Sequence, residues 1–158
     1  YIEGVSTRKV KEITEKLCGT SFSRSHISEL TKKLDEEIAY WRNRPLEKKY
    51  PYLIVDALYE KICTHHRVVS KGVLIIIGIG EDGYREVLSV DIADTETRES
   101  WEKVFRSLKR RGLRGVKLVV SDDHEGLRQA IERYFQGATW QRCQFHFQQS
   151  LLDYVRKK

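Results

Sequence analysis

The sequence predicts an α/β domain with a mixed five-stranded sheet flanked by helices, preceded by a small helical module. Beyond residue 51, apolar runs of strand length alternate with stretches that have the apolar period of an amphipathic helix. Before residue 50, the apolar residues recur only at helical spacing. A polar segment between Pro45 and Pro51 separates the two patterns. We therefore predict a helical module and linker in residues 1–50 and the α/β domain in residues 51–158.

Composition indicates a folded protein of 158 residues, because 40% are hydrophobic and 33% are charged. No apolar run approaches the length of a membrane span. The net charge of +6 is compatible with a polyanionic partner, because basic residues that neutralise phosphates release counterions. Three widely spaced cysteines suit a reducing compartment, so we expect the cytoplasm. The chain begins at Tyr1 and contains no methionine, which indicates a piece of a longer protein.

Two closely joined helices are predicted in the N-terminal module. The first runs from Ser6 to Leu17, and the second follows Ser23, which is a good N-cap residue. The apolar face of the second helix consists of Ile27, Leu30, Leu34, Ile38 and Trp41. The pair fits a helix-turn-helix module and an ordinary helical hairpin equally well. In the first case, the DNA-binding residues at the start of the second helix are Arg24, Ser25, His26 and Ser28.

The elements of the α/β domain follow in a definite order. Apolar runs at 52–58, 73–79 and 85–90 predict three strands of an antiparallel meander, with a turn at 81–83. Periodicity then predicts a helix around 101–108, a strand at 115–122, a helix around 127–134, a short strand at 139–143 and a helix from 144 onward. This is the order of an RNase H-like mixed sheet, although periodicity alone establishes only an α/β layered domain.

Asp56 and Asp122 are the candidate catalytic residues and metal ligands. Asp56 lies within an apolar strand, where an ionised carboxylate needs a cation or hydrogen-bond donors, although it could also face solvent on an edge strand or pair with a basic neighbour. Asp122 follows the fourth strand, where a side chain can project into a crevice. If the two strands are neighbours, both carboxylates reach one place and offer the hard oxygen ligands that Mg²⁺ or Mn²⁺ prefers.

Other polar residues have plainer interpretations. We expect Asp123 to cap the helix that follows it, where a negative charge is favourable. Cys143 and His146 have the spacing of half a zinc site, but no second pair follows them. His65 and His66 fit a loop near the active cleft as well as a plain surface position. The basic run 109–111, with Arg114 and Lys117, could contact a DNA backbone, although a solvated helix end explains such runs more often.

Two stretches of the sequence resemble the Mutator-type transposases of bacterial insertion sequences. These are residues 122–127, Asp-Asp-His-Glu-Gly-Leu, and residues 137–147, which contain Trp-Gln-Arg-Cys-x-x-His; the second stretch is the more specific. Residues 56–61, 82–88 and 108–116 are also similar to that family, so the likeness covers nearly all of the chain beyond residue 50. Residues 4–8, 34–37 and 44–46 resemble the segment before the catalytic core, which belongs to DNA-binding helices in this family. Residues 64–67 and 91–97 depart from the family pattern.

The resemblance implies an RNase H-like fold with an Asp-Asp-Glu metal triad. Asp56 and Asp122 would be its first two members, and the third, a glutamate, would follow an all-helical insertion that starts near Gln144 and extends past Lys158. Glu125 and Glu132 are poor substitutes, because both belong to the helix directly after Asp122. We therefore expect residues 1–158 alone to be inactive. The resemblance also matches Cys143 and His146 to a family signature near the active site, without revealing its role.

The expected function of the parent protein is Mg²⁺-dependent or Mn²⁺-dependent cleavage of transposon ends, followed by joining of the 3′-hydroxyls to target DNA. The implied partner is DNA, on which we expect a homo-oligomer. Two alternatives stay open at this point. One is a non-catalytic DNA-binding protein derived from a transposase, and the other is an RNase H-like metal-dependent nuclease.

Overall fold

A computed structural model describes residues 24–64 and 67–155 of the chain. The chain divides between Asn43 and Arg44 into two compact units. The predicted helix at 6–17, the predicted cap Ser23, and the histidines at 65 and 66 lie outside the described residues. Among the residues that are described, no helix is both long enough and apolar enough to cross a membrane.

The described part of the first unit is helix α1, Arg24–Asn43. It matches the second predicted helix, and the side-chain amide of Asn43 at its end donates to the carbonyl of Ala39 at 2.7 Å. On the predicted apolar face, Leu34 and Trp41 are partly buried, whereas Ile38 is exposed. The proposed DNA-binding residues all lie in the first two turns of α1; they are Arg24, Ser25, His26 and Ser28, and of these His26 is exposed.

The second unit contains a five-stranded sheet with the order β3-β2-β1-β4-β5. Strands β1 (Tyr52–Thr64), β2 (Arg67–Ile79) and β3 (Arg85–Ala93) form an antiparallel meander, as predicted. Strands β4 (Leu118–Ser121) and β5 (Thr139–Arg142) continue the sheet in parallel with β1. The helices are α2 (Arg98–Arg110), α3 (Glu125–Tyr134) and α4 (Gln144–Asp153). The predicted mixed five-stranded sheet flanked by helices is confirmed.

One face of the sheet forms the core with α2 and α3. Alternate residues of a strand point to opposite faces, so Leu53, Val55 and the half-buried Ala57 face the core while Asp56 lies on the other face. From the helices, the buried residues are Trp101, Val104, Phe105, Leu108, Leu127, Ala130 and Ile131. The apolar positions of α2 recur at spacings of three and four, which explains why this helix packs along one side.

Residues 44–50 belong to the second unit, although their composition predicts a polar linker. Leu46 and Tyr50 are 3% and 2% exposed. The guanidinium of Arg111 donates to the carbonyls of Arg44 and Leu88 at 2.8 and 2.7 Å, and that of Arg114 donates to the carbonyl of Glu47 at 2.7 Å. Two members of the predicted basic run therefore anchor this segment, because backbone carbonyls need donors when they are withdrawn from water.

The β1–β2 hairpin is longer than its apolar runs. Pairing continues along both strands to Thr64↔Arg67, so residues that form a polar stretch in the sequence are strand residues. Strand β4 pairs with β1 only over residues Tyr52–Ile54 of β1. Beyond that point the hairpin extends past the parallel part of the sheet, and Asp56 lies near the place where β4 ends.

Candidate active site

The parallel pairing of β1 and β4 brings Asp56 and Asp122 to neighbouring positions. The last matched pair is Ile54↔Val120, and each aspartate comes two residues later on its own chain segment. Because the side-chain period of a strand is two, each aspartate continues the face to which Ile54 and Val120 belong. Asp56 is therefore on a central strand, and the edge-strand alternative does not apply.

The backbone carbonyl of Asp122 accepts a hydrogen bond, while one of its carboxylate oxygens has no hydrogen-bond partner among the described residues. The hydroxyl of Ser121, which is 1% exposed, donates to the carbonyl of Asp122 at 2.8 Å and accepts from the indole N–H of Trp140 at 2.9 Å. Oδ1 of Asp122 is buried without a hydrogen-bond partner among the described residues. A buried carboxylate oxygen needs a donor or a cation, so this atom fits a bound positive charge.

The segment Trp-Gln-Arg-Cys-x-x-His runs from the sheet into helix α4 and brings His146 close to Asp56. The backbone N–H of Cys143 donates to the carbonyl of Ser121 at 2.5 Å, which fixes the start of α4 beside the end of β4. Cys143 is the N-cap residue of α4, so His146 falls in the first turn. Its Nε2 lies 3.9 Å from Oδ1 of Asp56. The predicted signature residues thus have different positions: Cys143 joins strand to helix, and His146 approaches a candidate metal ligand.

Asp56 makes one further contact, which orients its carboxylate. Oδ1 accepts the backbone N–H of Ala57 at 2.9 Å, and the side chain is 42% exposed. Nδ1 of His146 is buried and without a hydrogen-bond partner among the described residues. The imidazole therefore approaches Asp56 with Nε2, while its Nδ1 is withdrawn from solvent.

The cap of α3 is His124, although the sequence predicts Asp123 for this position. Nδ1 of His124 accepts the backbone N–H of Leu127 at 3.4 Å. Asp123 instead pairs with Arg128 at 3.2 Å and approaches Arg142 at 3.9 Å. The expectation that Asp123 caps the helix was wrong, because two guanidinium groups within reach hold its carboxylate away from the backbone.

Glu96 is a third carboxylate of this region, and no pattern in the sequence points to it. It lies between β3 and α2, its side chain is only 7% exposed, and its Oε1 accepts the indole N–H of Trp101 at 3.0 Å. Burial raises the pKa of Glu96, the hydrogen bond from Trp101 and the charge of His124 lower it, and the charges of Asp122 and Asp56 raise it again. The available signal was a lone glutamate five residues before a helical tryptophan, which is too common a pattern to indicate a site.

Oε1 of Glu96 also lies 3.6 Å from Nδ1 of His124. His124 therefore contacts both the first turn of α3 and the carboxylate of Glu96.

A cleft of about 370 Å³ opens next to Asp122. Its lining residues come from the turn after β4, the end of β5 and one side of α4; they are Asp122, Asp123, His124, Arg142, His146, Gln149, Ser150 and Asp153. Arg142 is anchored there by a hydrogen bond of 2.9 Å to the hydroxyl of Ser150, while its Nε is buried without a partner among the described residues. The cleft thus combines carboxylates with cationic donors, which suits a phosphate-bearing ligand bound through metal ions.

The donor set fits Mg²⁺ or Mn²⁺ in chemistry and is incomplete in number. Asp56 and Asp122 supply carboxylate oxygens, and Oδ1 of Asp122 lacks a protein partner among the described residues. Within the part of the chain that the structure describes, no three His, Cys, Asp or Glu side chains are placed to hold a metal ion together.

Comparison with known proteins identifies the class to which this fold and site belong. A family model described as Transposase, Mutator family, matches residues 1–158, so the chain belongs to the Mutator family of transposases. The transposase for insertion sequence element ISRM5 of Rhizobium meliloti (strain 1021) is 51% identical over 158 residues, which cover 100% of this chain and 40% of that protein. The transposase for insertion sequence element IS256 in transposon Tn4001 of Staphylococcus aureus is 48% identical over 159 residues, which cover 100% and 41%.

The chain thus spans about two fifths of the length of the curated relatives it matches. Among solved structures, the Drosophila P element transposase strand transfer complex aligns with a TM-score of 0.45 and 13% identity, over 84% of this chain and 33% of that chain.

Proposed function

We propose that the protein containing this chain cleaves DNA at transposon ends and joins the freed 3′-hydroxyls to target DNA. The proposal is supported by the parallel register of β1 and β4, after which Asp56 and Asp122 follow at matched positions, and by Oδ1 of Asp122, which is buried and unpartnered among the described residues. Membership of the Mutator family supports the reaction class.

Divalent cations, Mg²⁺ or Mn²⁺, are the proposed cofactors. When bound, two such ions supply the positive charge that stabilises the attacking and leaving oxygens of an in-line displacement at phosphorus. Asp56 and Asp122 hold them, and the backbone of Ala57 and the imidazole of His146 orient the carboxylate of Asp56. The third ligand is a glutamate that the resemblance to the family assigns to a position after Lys158. Residues 1–158 by themselves are therefore expected to be inactive.

DNA is the proposed partner, bound by a homo-oligomer. In the cleft beside Asp122, Arg142 and His146 can donate to phosphate oxygens, and cationic donors of this kind form the strong hydrogen bonds that phosphates accept. The net charge of +6 favours the same partner. At the start of α1, Arg24, Ser25, His26 and Ser28 are the proposed residues for recognition of the DNA end.

The test is a cleavage and joining assay with the full-length protein, end-bearing DNA and either Mg²⁺ or Mn²⁺. We expect Asp56→Asn and Asp122→Asn to reduce both reactions to background, because each removes a charged ligand without changing the size of the side chain. Asp94→Asn is the matched control, since Asp94 is an aspartate outside the cleft whose side chain is 87% exposed, and its activity should equal that of the wild type.

Three outcomes would contradict the proposal in different ways. Wild-type cleavage by Asp56→Asn or Asp122→Asn would refute the metal-site assignment. Metal-dependent cleavage without any joining would favour the alternative of an RNase H-like nuclease. Specific binding of end DNA with neither cleavage nor joining would favour a non-catalytic protein derived from a transposase.

A further inference from the structure

The hydroxyl of Ser121 lies on the buried face of the sheet, directly before Asp122. Ser121 ends β4 and is 1% exposed, whereas Asp122 comes one residue later and continues the opposite face. The hydroxyl donates to the backbone carbonyl of Asp122 at 2.8 Å. Since a hydroxyl carries one proton, this bond uses the whole donor capacity of Ser121 to hold the peptide unit that leads into the turn before α3.

Trp140 supplies the proton that the same hydroxyl accepts. The residue belongs to β5, where it pairs with Val119, and its indole N–H donates to Oγ of Ser121 at 2.9 Å. The indole proton occupies one lone pair of Oγ, so the hydroxyl proton must point away from the indole. Trp140 therefore fixes the direction in which Ser121 donates, which is toward the carbonyl of Asp122.

The indole ring of Trp140 has a second connection to the same turn. The guanidinium of Arg128 lies 4.5 Å from the centre of the ring and donates to the carboxylate of Asp123 at 3.2 Å. The residues directly before and after Asp122 are thus both connected to Trp140, one through a hydroxyl and the other through a guanidinium. Between them, Oδ1 of Asp122 is buried without a hydrogen-bond partner among the described residues.

We propose that Trp140 is a positioning residue for the metal site, which acts through Ser121 to hold the turn from which Asp122 presents its carboxylate to divalent cations. This inference rests on the proposed function above. The side chain of an aspartate is short, so a rotation of its peptide unit displaces the carboxylate oxygens. Residues that orient a metal ligand without touching the metal typically change metal affinity by about tenfold to a hundredfold when they are replaced.

The test measures Mn²⁺ binding to the full-length protein by the electron paramagnetic resonance of free Mn²⁺, at a temperature well below the unfolding of every variant. Trp140→Phe keeps an aromatic ring for Arg128 and removes the N–H. We expect it to weaken Mn²⁺ binding by about tenfold, the lower end of the range, because Trp140 acts on the backbone of the ligand and not on its carboxylate. Unchanged Mn²⁺ binding would overturn the inference.

Tyr50→Phe is the matched control for a loss of stability alone. Tyr50 is 2% exposed, and its hydroxyl donates to Glu86 in β3 at 2.6 Å, at the opposite edge of the sheet from β5. The substitution removes one hydrogen-bond donor and keeps the ring, so we expect a lower unfolding temperature with the Mn²⁺ affinity of the wild type. An equal loss of affinity in Tyr50→Phe and Trp140→Phe would show general destabilisation and refute a positioning role.

A double-mutant cycle tests the path through Ser121. Ser121→Ala removes both the acceptor for the indole and the donor to Asp122, and it should also weaken Mn²⁺ binding by about tenfold. The double variant with Trp140→Phe should again lose about tenfold, because the two residues act through one contact, whereas independent effects would multiply to about a hundredfold. A hundredfold loss would therefore contradict the proposed path.

Asp122→Asn separates this inference from the proposed function, and it should abolish most of the Mn²⁺ binding. If Asp122→Asn binds Mn²⁺ like the wild type, the proposed metal site itself fails. If Asp122→Asn loses binding while Trp140→Phe retains it, only the role of Trp140 is refuted.

Discussion

Replacement of Arg111 by alanine should destabilise the second unit strongly, although Arg111 belongs to a basic run that looks like a DNA-binding surface in the sequence. Its guanidinium donates to the carbonyls of Arg44 and Leu88 at 2.8 and 2.7 Å. Burial lowers the pKa of Arg111, which shows that the group is partly withdrawn from solvent. The side chain therefore connects the segment before β1 to the edge of β3.

The magnitude follows from the two hydrogen bonds that the substitution removes. A hydrogen bond with a charged partner contributes about 1.5–3 kcal/mol. Because Arg111 is only partly buried, water can replace some of what the carbonyls lose, and we take the lower value for each bond. The expected loss is about 3 kcal/mol in the free energy of unfolding. For a domain of this size, that corresponds to a decrease of roughly 12 °C in Tm, at about 4 °C for each kcal/mol.

The assay is chemical and thermal denaturation of Arg111→Ala beside Arg110→Ala. Arg110 is the exposed neighbour at the end of α2, and its replacement should change the free energy of unfolding by no more than about 0.5 kcal/mol. DNA affinity provides a second readout, because removal of a phosphate-binding side chain at position 110 or 111 would reduce the salt dependence of binding. Equal stability of the two variants would refute the anchoring role of Arg111.

Two more variants probe the same region of the fold. Hydrogen bonds from Tyr50 and then from Arg44 lower the pKa of Glu86 below its ordinary value of 4.5, so its stabilising contribution is present at neutral pH and disappears as the pH falls through the folded pKa. Glu86→Gln should therefore lower stability at pH 7 and lose that deficit in acid, and a pH-independent difference in urea melts would contradict this. Gly112 has φ +104°, and a Cβ there would lie 2.9 Å from the carbonyl oxygen of Leu46. Gly112→Ala should therefore cost more than Gly83→Ala, which has φ +80° and open space and loses about 1 kcal/mol through strain alone; equal melting temperatures would exclude the clash.

The sheet was predictable because its signals are local. The apolar runs around Ile54 and Ile76 predict two strands, although the runs do not define where each strand ends. The turn residues near Gly83 predict an antiparallel connection. Strand ends were less predictable. The pairing between β1 and β2 continues through polar residues at the far end of the hairpin. Such pairing depends on the partner strand, which no local sequence pattern reveals.

The candidate site was predictable only in part. Asp56 and Asp122 stood out because a carboxylate within or directly after an apolar strand is unusual. Glu96 did not stand out, since its burial results from the contact between two helix starts that are remote in sequence. The anchoring role of Arg111 was equally unpredictable from the sequence. Its acceptors are backbone carbonyls, which every residue type carries.

The two candidate ligands differ in how their backbones are held. Asp56 lies inside a strand of 13 residues whose neighbours on both sides are paired with β2. Asp122 follows a strand of four residues and begins the turn into α3. Any adjustment of the separation between the carboxylates must therefore come from Asp122 and its turn, while Asp56 remains a fixed reference.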